Sequence, residues 1–409
     1  MYQGNTSGYS TEEKLDNLKL QVNRIASRKI DIVQEVGKVQ VEDNGKIIRV
    51  KESGLKDYDD PSDFALHGKP MTIGKISPTA LKNIGNWCHL SPYYSEYIKD
   101  QHAEELFAKN FNYWFQHKQL EKLQNRRMFR FLAPPSYSGT AGEIGTLRSM
   151  HSDLFRRMDN EVLLKALDPL MEEYPDLEVA SANVNEDYFN LKLLFPEGEG
   201  MEGEIKPGDQ VRGGFRLRNS EVGLSYLLID FLVLRLICKN GMVGYEYEHG
   251  VKRRHGGKRL PIGVQPQFGQ DDEAWDWVED FNDDVATMIE ECSNKENFRL
   301  HLGKMRDATG GKHVRFLNRI SEENPVIPSV DLLGKQFGLS SSDKKNISSN
   351  FISARDYSKW GFVNAITEAA NDSTNYESAT NLEELGGRVL SFPEYRWLPF
   401  VEAEYKEAA

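Results

Sequence analysis

Apolar and basic positions alternate over residues 211–218, inside the segment VRGGFRLRNSEVG. The apolar positions are Val211, Phe215 and Leu217, and the basic positions are Arg212, Arg216 and Arg218. Successive side chains of a β-strand point to opposite faces of its sheet. The pattern therefore predicts a strand with one apolar face and one face that carries the three arginines, which we call the arginine face.

The flanking segments predict more strands of the same sheet. Residues 177–196 form two apolar runs around a polar turn, and residues 224–229 (LSYLLI) predict a further strand. Residues 230–241 favour a helix, with Asp230 as its N-cap and Asn240-Gly241 as its C-cap. The sequence thus predicts an α+β fold whose centre is an antiparallel sheet of three or four strands with a packed helix, a strand-strand-strand-helix core.

Local signals in the N-terminal third are strong. Two alternating runs flank Asn44-Gly45 in residues 38–50, which predicts a β-hairpin because this dipeptide is typical of a type I′ turn. Residues 76–132 are predicted to be helical, with Ser77 as an N-cap and Pro78 at the first helical position. Residues 133–146 hold two prolines and three glycines, which predict a loop or a domain boundary.

A length of 409 residues suggests two or three domains. The predicted regions are a flexible arm (1–19), a hairpin with helices (20–132), a linker (133–150), the central sheet and helix (151–265), an acidic helical region (266–324), a second linker (325–345) and a helical C-terminal region (346–409).

Charge and composition exclude several classes of protein. A net charge of −12 argues against a polycation that coats nucleic acid or membrane, although it is compatible with one local basic groove. Three widely spaced cysteines form neither a disulfide framework nor a zinc motif, which favours a reducing, cytoplasmic location. No apolar h-region lies near the N-terminus, so secretion is not expected. The most apolar run is too short to span a bilayer, so no membrane association is expected.

Residues 252–259 (KRRHGGKR), here called the basic segment, combine five permanent cations, a histidine and two glycines. Such runs are often nucleic-acid patches, although a solvated loop is an equally weighted alternative. Three further arginines, Arg126, Arg127 and Arg130, precede the loop at 133–146. The predicted phosphate-binding residues are Arg212, Arg216, Arg218, Lys252, Arg253, Arg254, His255, Lys258 and Arg259.

Each of these features has a structural alternative. The three strand arginines, suited to bidentate phosphate contacts, could instead pair with Glu204, Glu221 or residues 271–284, the acidic segment. That segment carries eight carboxylates, and a solvated helix face is the favoured interpretation for it. For Asn219-Ser220-Glu221 a turn with an ion pair is preferred over a metal ligand or a base contact.

No catalytic signature stands out, since the chain has no P-loop, nucleophile elbow or paired histidines. No cofactor is required, although a divalent ion could bridge carboxylates and phosphate.

Several segments resemble the phage and plasmid family known as domain of unknown function 932. They are ISPTALKNIGNWCHLSPYYSEYI, NFNYWF, GDQVRGGFRLRNSEVG, RLICKNGMV and WGFVNAITEAA, and the resemblance spans about residues 20 to 390. The chain departs from the family's S-x-R-Y pattern at residues 152–155, where the arginines are displaced to Arg156 and Arg157, and residues 133–146 resemble an insertion. Because family members accompany replication and recombination genes, the resemblance implies work on nucleic acid.

These features together predict a phage-encoded, non-enzymatic protein that binds single-stranded DNA and assists annealing, recombination or replication. The expected state is a homo-oligomer, with host or phage recombination proteins as possible partners. The alternative is an interaction factor that acts on a host replication or defence machine, with the acidic segment as a mimic of nucleic acid.

Overall fold

The computed structural model describes residues 10–42, 45–50, 73–91, 94, 104–118, 126–135, 144–155, 157–236, 240–243, 251–253, 263–264, 283, 287, 290–292, 294–314, 325–373 and 376–404. Within these residues helices and strands combine in an α+β fold, which confirms the predicted fold class. The strands are β1 (Lys29–Glu35), β2 (Val39–Val41), β3 (Ile47–Val50), β4 (Ile73–Ile76), β5 (Arg126–Leu132), β6 (Gly145–Ser152), β7 (Glu178–Val184), β8 (Phe189–Leu194), β9 (Glu202–Glu204), β10 (Gln210–Asn219), β11 (Leu227–Arg235), β12 (Asn240–Val243), β13 (Val251–Arg253) and β14 (Gly263–Val264).

The helices lie mainly at the two ends of the chain. They are α1 (Thr11–Ala26), α2 (Pro78–Trp87), α3 (Glu104–Lys118), α4 (Asn160–Ala166), α5 (Asp168–Glu173), α6 (Lys295–Asp307), α7 (Pro328–Phe337), α8 (Ser341–Ala354), α9 (Lys359–Asn371), α10 (Tyr376–Leu390) and α11 (Glu394–Val401), with a 3₁₀ turn at Val36–Lys38.

Two sheets organise these elements. Sheet A has the strand order β14-β1-β5-β6-β4-β3-β2, in which only β4 and β6 pair in parallel among the described strands. Sheet B has the order β12-β11-β10-β8-β7, and β9 and β13 pair in addition with β10 and β11. All described pairs of sheet B are antiparallel, as the sequence predicts for the central sheet.

Each sheet has its own apolar core. Helices α2 and α3 cover sheet A, where Phe107, Phe111 and Phe115 recur at helical spacing and are buried. The core of sheet B joins the apolar face of β10 to α1, α4, α6 and the C-terminal helices. Gly214 is required in β10, because a Cβ atom there would lie 2.0 Å from the carbonyl oxygen of Leu193 on β8.

Predictions that rest on short-range signals are confirmed. β2 and β3 form the hairpin, with Val41 opposite Ile48 and a positive φ of 67° at Gly45. Ser77 caps α2 through a 3.1 Å bond from the amide of Ala80, and Pro78 opens the helix. The strands predicted in 177–196 are β7 and β8, and the C-terminal region from 346 is helical.

Three predictions of a helix or a linker in the central part of the chain are wrong. Residues 126–132 form β5, and residues 145–150 of the predicted linker belong to β6, which pairs with β5. Residues 230–235 continue β11 and residues 240–243 form β12, so the central sheet has no helix at this point. Short apolar runs suit a buried strand as well as a helix, and here backbone pairing with β10 decides.

The ends of the chain also differ from expectation. Helix α1 starts at Thr11 inside the predicted arm, with a capping box between Ser10 and Glu13. The predicted linker 325–345 contains α7 and the beginning of α8. Helix α7 is capped at its C-terminus by Gly338, which adopts the left-handed conformation (φ 70°).

Candidate nucleic-acid interface

Strand β10 has the two faces that its sequence predicts. Val211, Phe215 and Leu217 are buried in the core of sheet B. The arginines project from the other face and are buried too, so β10 is covered on both sides.

Helix α10 covers part of the arginine face with two consecutive glutamates. Glu384 Oε1 accepts from Arg216 Nη2 at 2.9 Å and from Arg218 Nη1 at 3.2 Å. Glu383 forms an ion pair with Lys192, which lies opposite Arg216 on the neighbouring strand β8. The helix therefore meets three cations of sheet B with two carboxylates.

The sheet itself supplies the remaining partners. Arg216 Nη2 also bonds Asp230 Oδ2 on β11 at 2.6 Å. The guanidinium of Arg218 lies 5.4 Å from the centre of the Tyr188 ring, a cation–π contact. Arg212 pairs with Glu178 on the edge strand β7 and lies 3.8 Å from Glu197. The arginine face is thus neutralised within the chain.

This arrangement bears on the two interpretations of the strand arginines. Pairing with carboxylates is present, although the partners are Glu178, Asp230 and Glu384 and none of the described partners is Glu204 or Glu221. Buried, paired guanidiniums do not present an open surface to a phosphate backbone. Phosphate contact by these arginines therefore stays a prediction.

The basic segment begins on sheet B. Its first two residues, Lys252 and Arg253, belong to β13, which pairs with β11. The other predicted phosphate-binding residues of the segment, Arg254, His255, Lys258 and Arg259, lie outside the described residues.

Strand register relates the two basic elements. Arg218 is opposite Leu228 on β11, and Leu228 is opposite Lys252 on β13. The backbones of Arg218 and Lys252 therefore lie in one row across the sheet, about 10 Å apart at a strand spacing of about 4.8 Å. The described residues of the basic segment, Lys252 and Arg253, therefore lie at the Arg218 end of β10.

A second group of buried charges joins the two sheets, and we call it the buried charge network. Glu221, in the turn after β10, is its centre. Its carboxylate accepts from Arg148 Nη1 at 3.0 Å and from the backbone amide of Asn160 at 2.9 Å, and it pairs with Lys29 Nζ at 3.3 Å. Lys29 and Arg148 belong to β1 and β6 of sheet A, so Glu221 fixes sheet B to sheet A.

Arg130 extends the network through the middle of sheet A. Its Nε donates to Asp31 Oδ1 at 2.9 Å, and its Nη2 lies 3.0 Å from Asp159 Oδ1. Asp159 Oδ2 also lies 3.1 Å from Lys29 Nζ, and Arg157 Nη1 lies 3.4 Å from Asp31 Oδ2. Each carboxylate of the network therefore has more than one cationic partner.

The electrostatics of this network are strongly coupled. Burial alone would raise the pKa of the Glu221 carboxyl, but Lys29 and Arg148 outweigh burial and hold the pKa below its usual value. For Asp159 the effect of burial is likewise outweighed, by Lys29 and Arg130, and its pKa is lowered. The pKa of Lys29 is raised, because Asp159 and Glu221 overcome the desolvation of its ammonium group. All three groups stay charged at neutral pH.

The buried charge network shows which contacts the Asn219-Ser220-Glu221 motif makes. Asn219 Nδ2 donates to the carbonyl of Met158 at 2.7 Å, and Ser220 Oγ donates to the carbonyl of Asp187 at 2.7 Å. The preferred interpretation, a turn with an ion pair, is confirmed, with Arg148 and Lys29 as partners. In the part of the chain that the structure describes, no group of His, Cys, Asp and Glu side chains is arranged to hold a metal ion.

Sequence reasoning missed most of the network. The sequence groups Arg130 with Arg126 and Arg127 as a basic element, whereas the Arg130 side chain is fully buried in sheet A. Lys29, Asp31 and Asp159 carry no motif, and their partners are far away in sequence. The one signal was the N-S-E motif itself, a polar triplet directly after a strand.

A cavity in the C-terminal helical region was missed as well. It is open to solvent and has a volume of about 660 Å³. Lys359 lines it, and its Nζ donates to the carbonyls of Leu390 and Phe392 at 2.5 and 2.6 Å. Burial lowers the pKa of Lys359 to about 8. The other basic side chains of the lining are Lys304 and Lys312, and the acidic ones are Asp307 and Glu394.

Comparisons with known proteins give no independent assignment. No family model, no curated protein and no solved structure matches the chain. The resemblance to the phage and plasmid family therefore stays a prediction. Among the described helices, none combines the length and the apolar composition needed to cross a membrane.

Proposed function

We propose that this chain binds the phosphate backbone of single-stranded DNA through the basic segment, and that it assists strand annealing, recombination or replication without an enzymatic step. One observation carries the proposal: strand register aligns the start of the basic segment with Arg218, so both basic elements belong to the same end of sheet B. A backbone held there would first meet the cations of residues 252–259.

The charge distribution supports a local interface. The basic segment contains five cations and no acidic residue, in a chain whose net charge is −12. A local positive field attracts a polyanion, while the acidic remainder repels it from other surfaces. Two glycines in the segment permit close approach of its backbone to a phosphate. Binding confined to this part of sheet B is therefore expected.

The biological setting of the proposal follows from the family resemblance. It places the protein in phage- or plasmid-bearing bacteria, in the cytoplasm, as a homo-oligomer that works with host or phage recombination proteins. Annealing needs no cofactor, since the chemistry of base pairing belongs to the DNA strands.

The test is fluorescence anisotropy with labelled single-stranded and duplex DNA at low and moderate salt. We expect single strands to bind more tightly, with log K falling against log salt by about 0.7 per phosphate contacted. Alanine at Lys252, Arg253, Arg254, Lys258 and Arg259 should reduce the affinity at least about tenfold and flatten that slope, because several phosphate contacts disappear.

A matched control removes the same charge elsewhere. Lys75, Lys82, Lys109, Lys165 and Lys345 are exposed on other elements, and their replacement by alanine should leave the affinity nearly unchanged. Equal losses of DNA affinity in both variants would show that the net charge alone controls binding, and would contradict a local site. Absence of binding by the wild-type chain at low salt would refute the function and favour the interaction-factor alternative.

A further inference from the structure

The contact between α10 and the arginine face resembles an anion-binding site in which the carboxylates of α10 take the place of the anion. Glu383 and Glu384 are consecutive residues, and their carboxylates meet Lys192, Arg216 and Arg218 on two adjacent strands. The sequence separation between Arg216 and Glu384 is 168 residues, so the acidic side of the contact comes from a distant part of the chain. Two neighbouring negative groups on a row of cations are also what a stretch of nucleic-acid backbone would supply.

The arginines on this face still have hydrogen-bonding capacity. In the part of the chain that the structure describes, the buried Nε atoms of Arg212 and Arg218 have no hydrogen-bond partner. A guanidinium can give two parallel bonds to one phosphate, and Arg–phosphate pairs commonly take this bidentate form. Glu384 instead uses a single oxygen, Oε1, to accept from both Arg216 and Arg218. Phosphate oxygens would match these donors better than the carboxylates do.

The apolar and acidic contacts of α10 are made by different residues. Leu382, Leu385 and Val389 belong to the apolar core that joins the C-terminal helices to sheet B, and a Cβ atom at Gly386 would lie 2.5 Å from Thr367 on α9, which shows how closely the two helices pack. Helices α9 and α10 therefore hold together as a pair. Helix α10 also lies beside β12 of sheet B, whereas its described contacts with the arginine face are ion pairs, which a competing polyanion and added salt both weaken.

We propose that Lys192, Arg216 and Arg218 form a second phosphate-binding surface, and that Glu383 and Glu384 of α10 keep it closed until single-stranded DNA displaces them. This inference rests on the proposed function, because DNA held by the basic segment arrives at the same end of sheet B. The high local concentration of phosphates at that end then drives the exchange of carboxylates for phosphates. The arginine face becomes available only to a ligand that is already bound.

The first test is the double variant Glu383→Gln, Glu384→Gln, with Glu368→Gln on α9 as the matched control. Glu368 is half-buried and belongs to no ion pair among the described residues. The double variant should bind single-stranded DNA about tenfold more tightly, with a log K against log salt slope steeper by about 1.4, which corresponds to two more phosphates. The control should match the wild-type chain in both quantities.

The second test needs no substitution and covers the case in which the double variant does not fold. Hydrogen exchange of the wild-type chain is followed with and without single-stranded DNA. Displacement should increase exchange in residues 376–390, because that helix loses its ion pairs with the arginine face. Residues 11–26, in α1 beside β7, should be unaffected.

The outcomes separate this inference from the function on which it rests. If the wild-type chain binds DNA, but the double variant binds with the same affinity and slope and exchange in α10 does not change, the displacement is refuted and the function stands. If neither chain binds DNA, both are refuted. If only the double variant binds, single-stranded DNA does not displace the two glutamates of the wild-type chain, so the displacement is refuted together with the function.

Discussion

The arginine face and the buried charge network both bury arginines, and they differ in the exposure of their carboxylates. In the network the side chains of Glu221 and Asp159 are each 2% exposed. On the arginine face the exposed fraction of the carboxylate side chains is 9% for Glu383, 19% for Glu384, 20% for Asp230 and 48% for Glu178. The same residue types therefore form a contact that is closed to solvent in the buried charge network and a contact that is partly open to solvent on the arginine face.

Solvent access decides what each region can do. A buried charge that loses its partner cannot recover hydration, so the network resists exchange of its members. Carboxylates that still touch water can be replaced by other anions at a smaller cost. The network is accordingly suited to hold sheet A against sheet B, and the arginine face is suited to reversible contact.

The largest effect is expected from Glu221→Gln. The change keeps the shape of the side chain but leaves Lys29 and Arg148 without their shared carboxylate. We expect a loss of about 3–5 kcal/mol in the free energy of unfolding, measured by urea denaturation. The control is Glu172→Gln on the exposed side of α5, which should cost less than about 0.5 kcal/mol. If Glu221→Gln loses as little stability as the control, the buried charge network does not hold the two sheets together more firmly than exposed ion pairs would.

A smaller effect is expected from acid. The pKa values of Glu221 and Asp159 are lowered in the folded chain from ordinary values of 4.5 and 3.8. The unfolded chain therefore takes up protons first as the pH falls, and stability drops below about pH 4.5. Between about pH 5 and 3 the Glu221→Gln variant should lose about 1–2 kcal/mol less than the wild-type chain does, because one such carboxyl is absent. If the stability of the two chains falls in parallel over this pH range, the lowered pKa of Glu221 in the folded chain is contradicted.

The smallest effect is expected from Arg212→Met, which removes the charge at the open end of the arginine face and keeps an apolar stem. Its partners Glu178 and Glu197 are largely exposed, so water and salt screen the pairs. We expect a loss of about 0.5 kcal/mol or less in the free energy of unfolding. Molar salt should abolish the difference between variant and wild type. A loss comparable to that of Glu221→Gln would mean that exposure does not separate the two regions.

A structural feature could be predicted from the sequence when residues close to it in the chain determine it. The hairpin at Gly45 and the cap at Ser77 follow from side chains within a few residues, and both are present. The end of β11 could not be predicted in this way, because an apolar run suits helix and strand alike until β10 and β12 pair with it. Helix α7 was predictable from Pro328 at its start and Gly338 at its end, but the same residues also predict a linker.

For the candidate site, the sequence by itself determined which side chains of β10 share a face, because the two-residue period of a strand is a local property. It also determined that the cations of 252–259 are concentrated in one segment. Only the tertiary structure decided what covers the arginine face and which charges pair: Glu384 reaches Arg216 across 168 residues, and Arg130 meets Asp31 across 99. Coulomb attraction acts through space, so the partners of a charge depend on which distant segments the fold brings beside it.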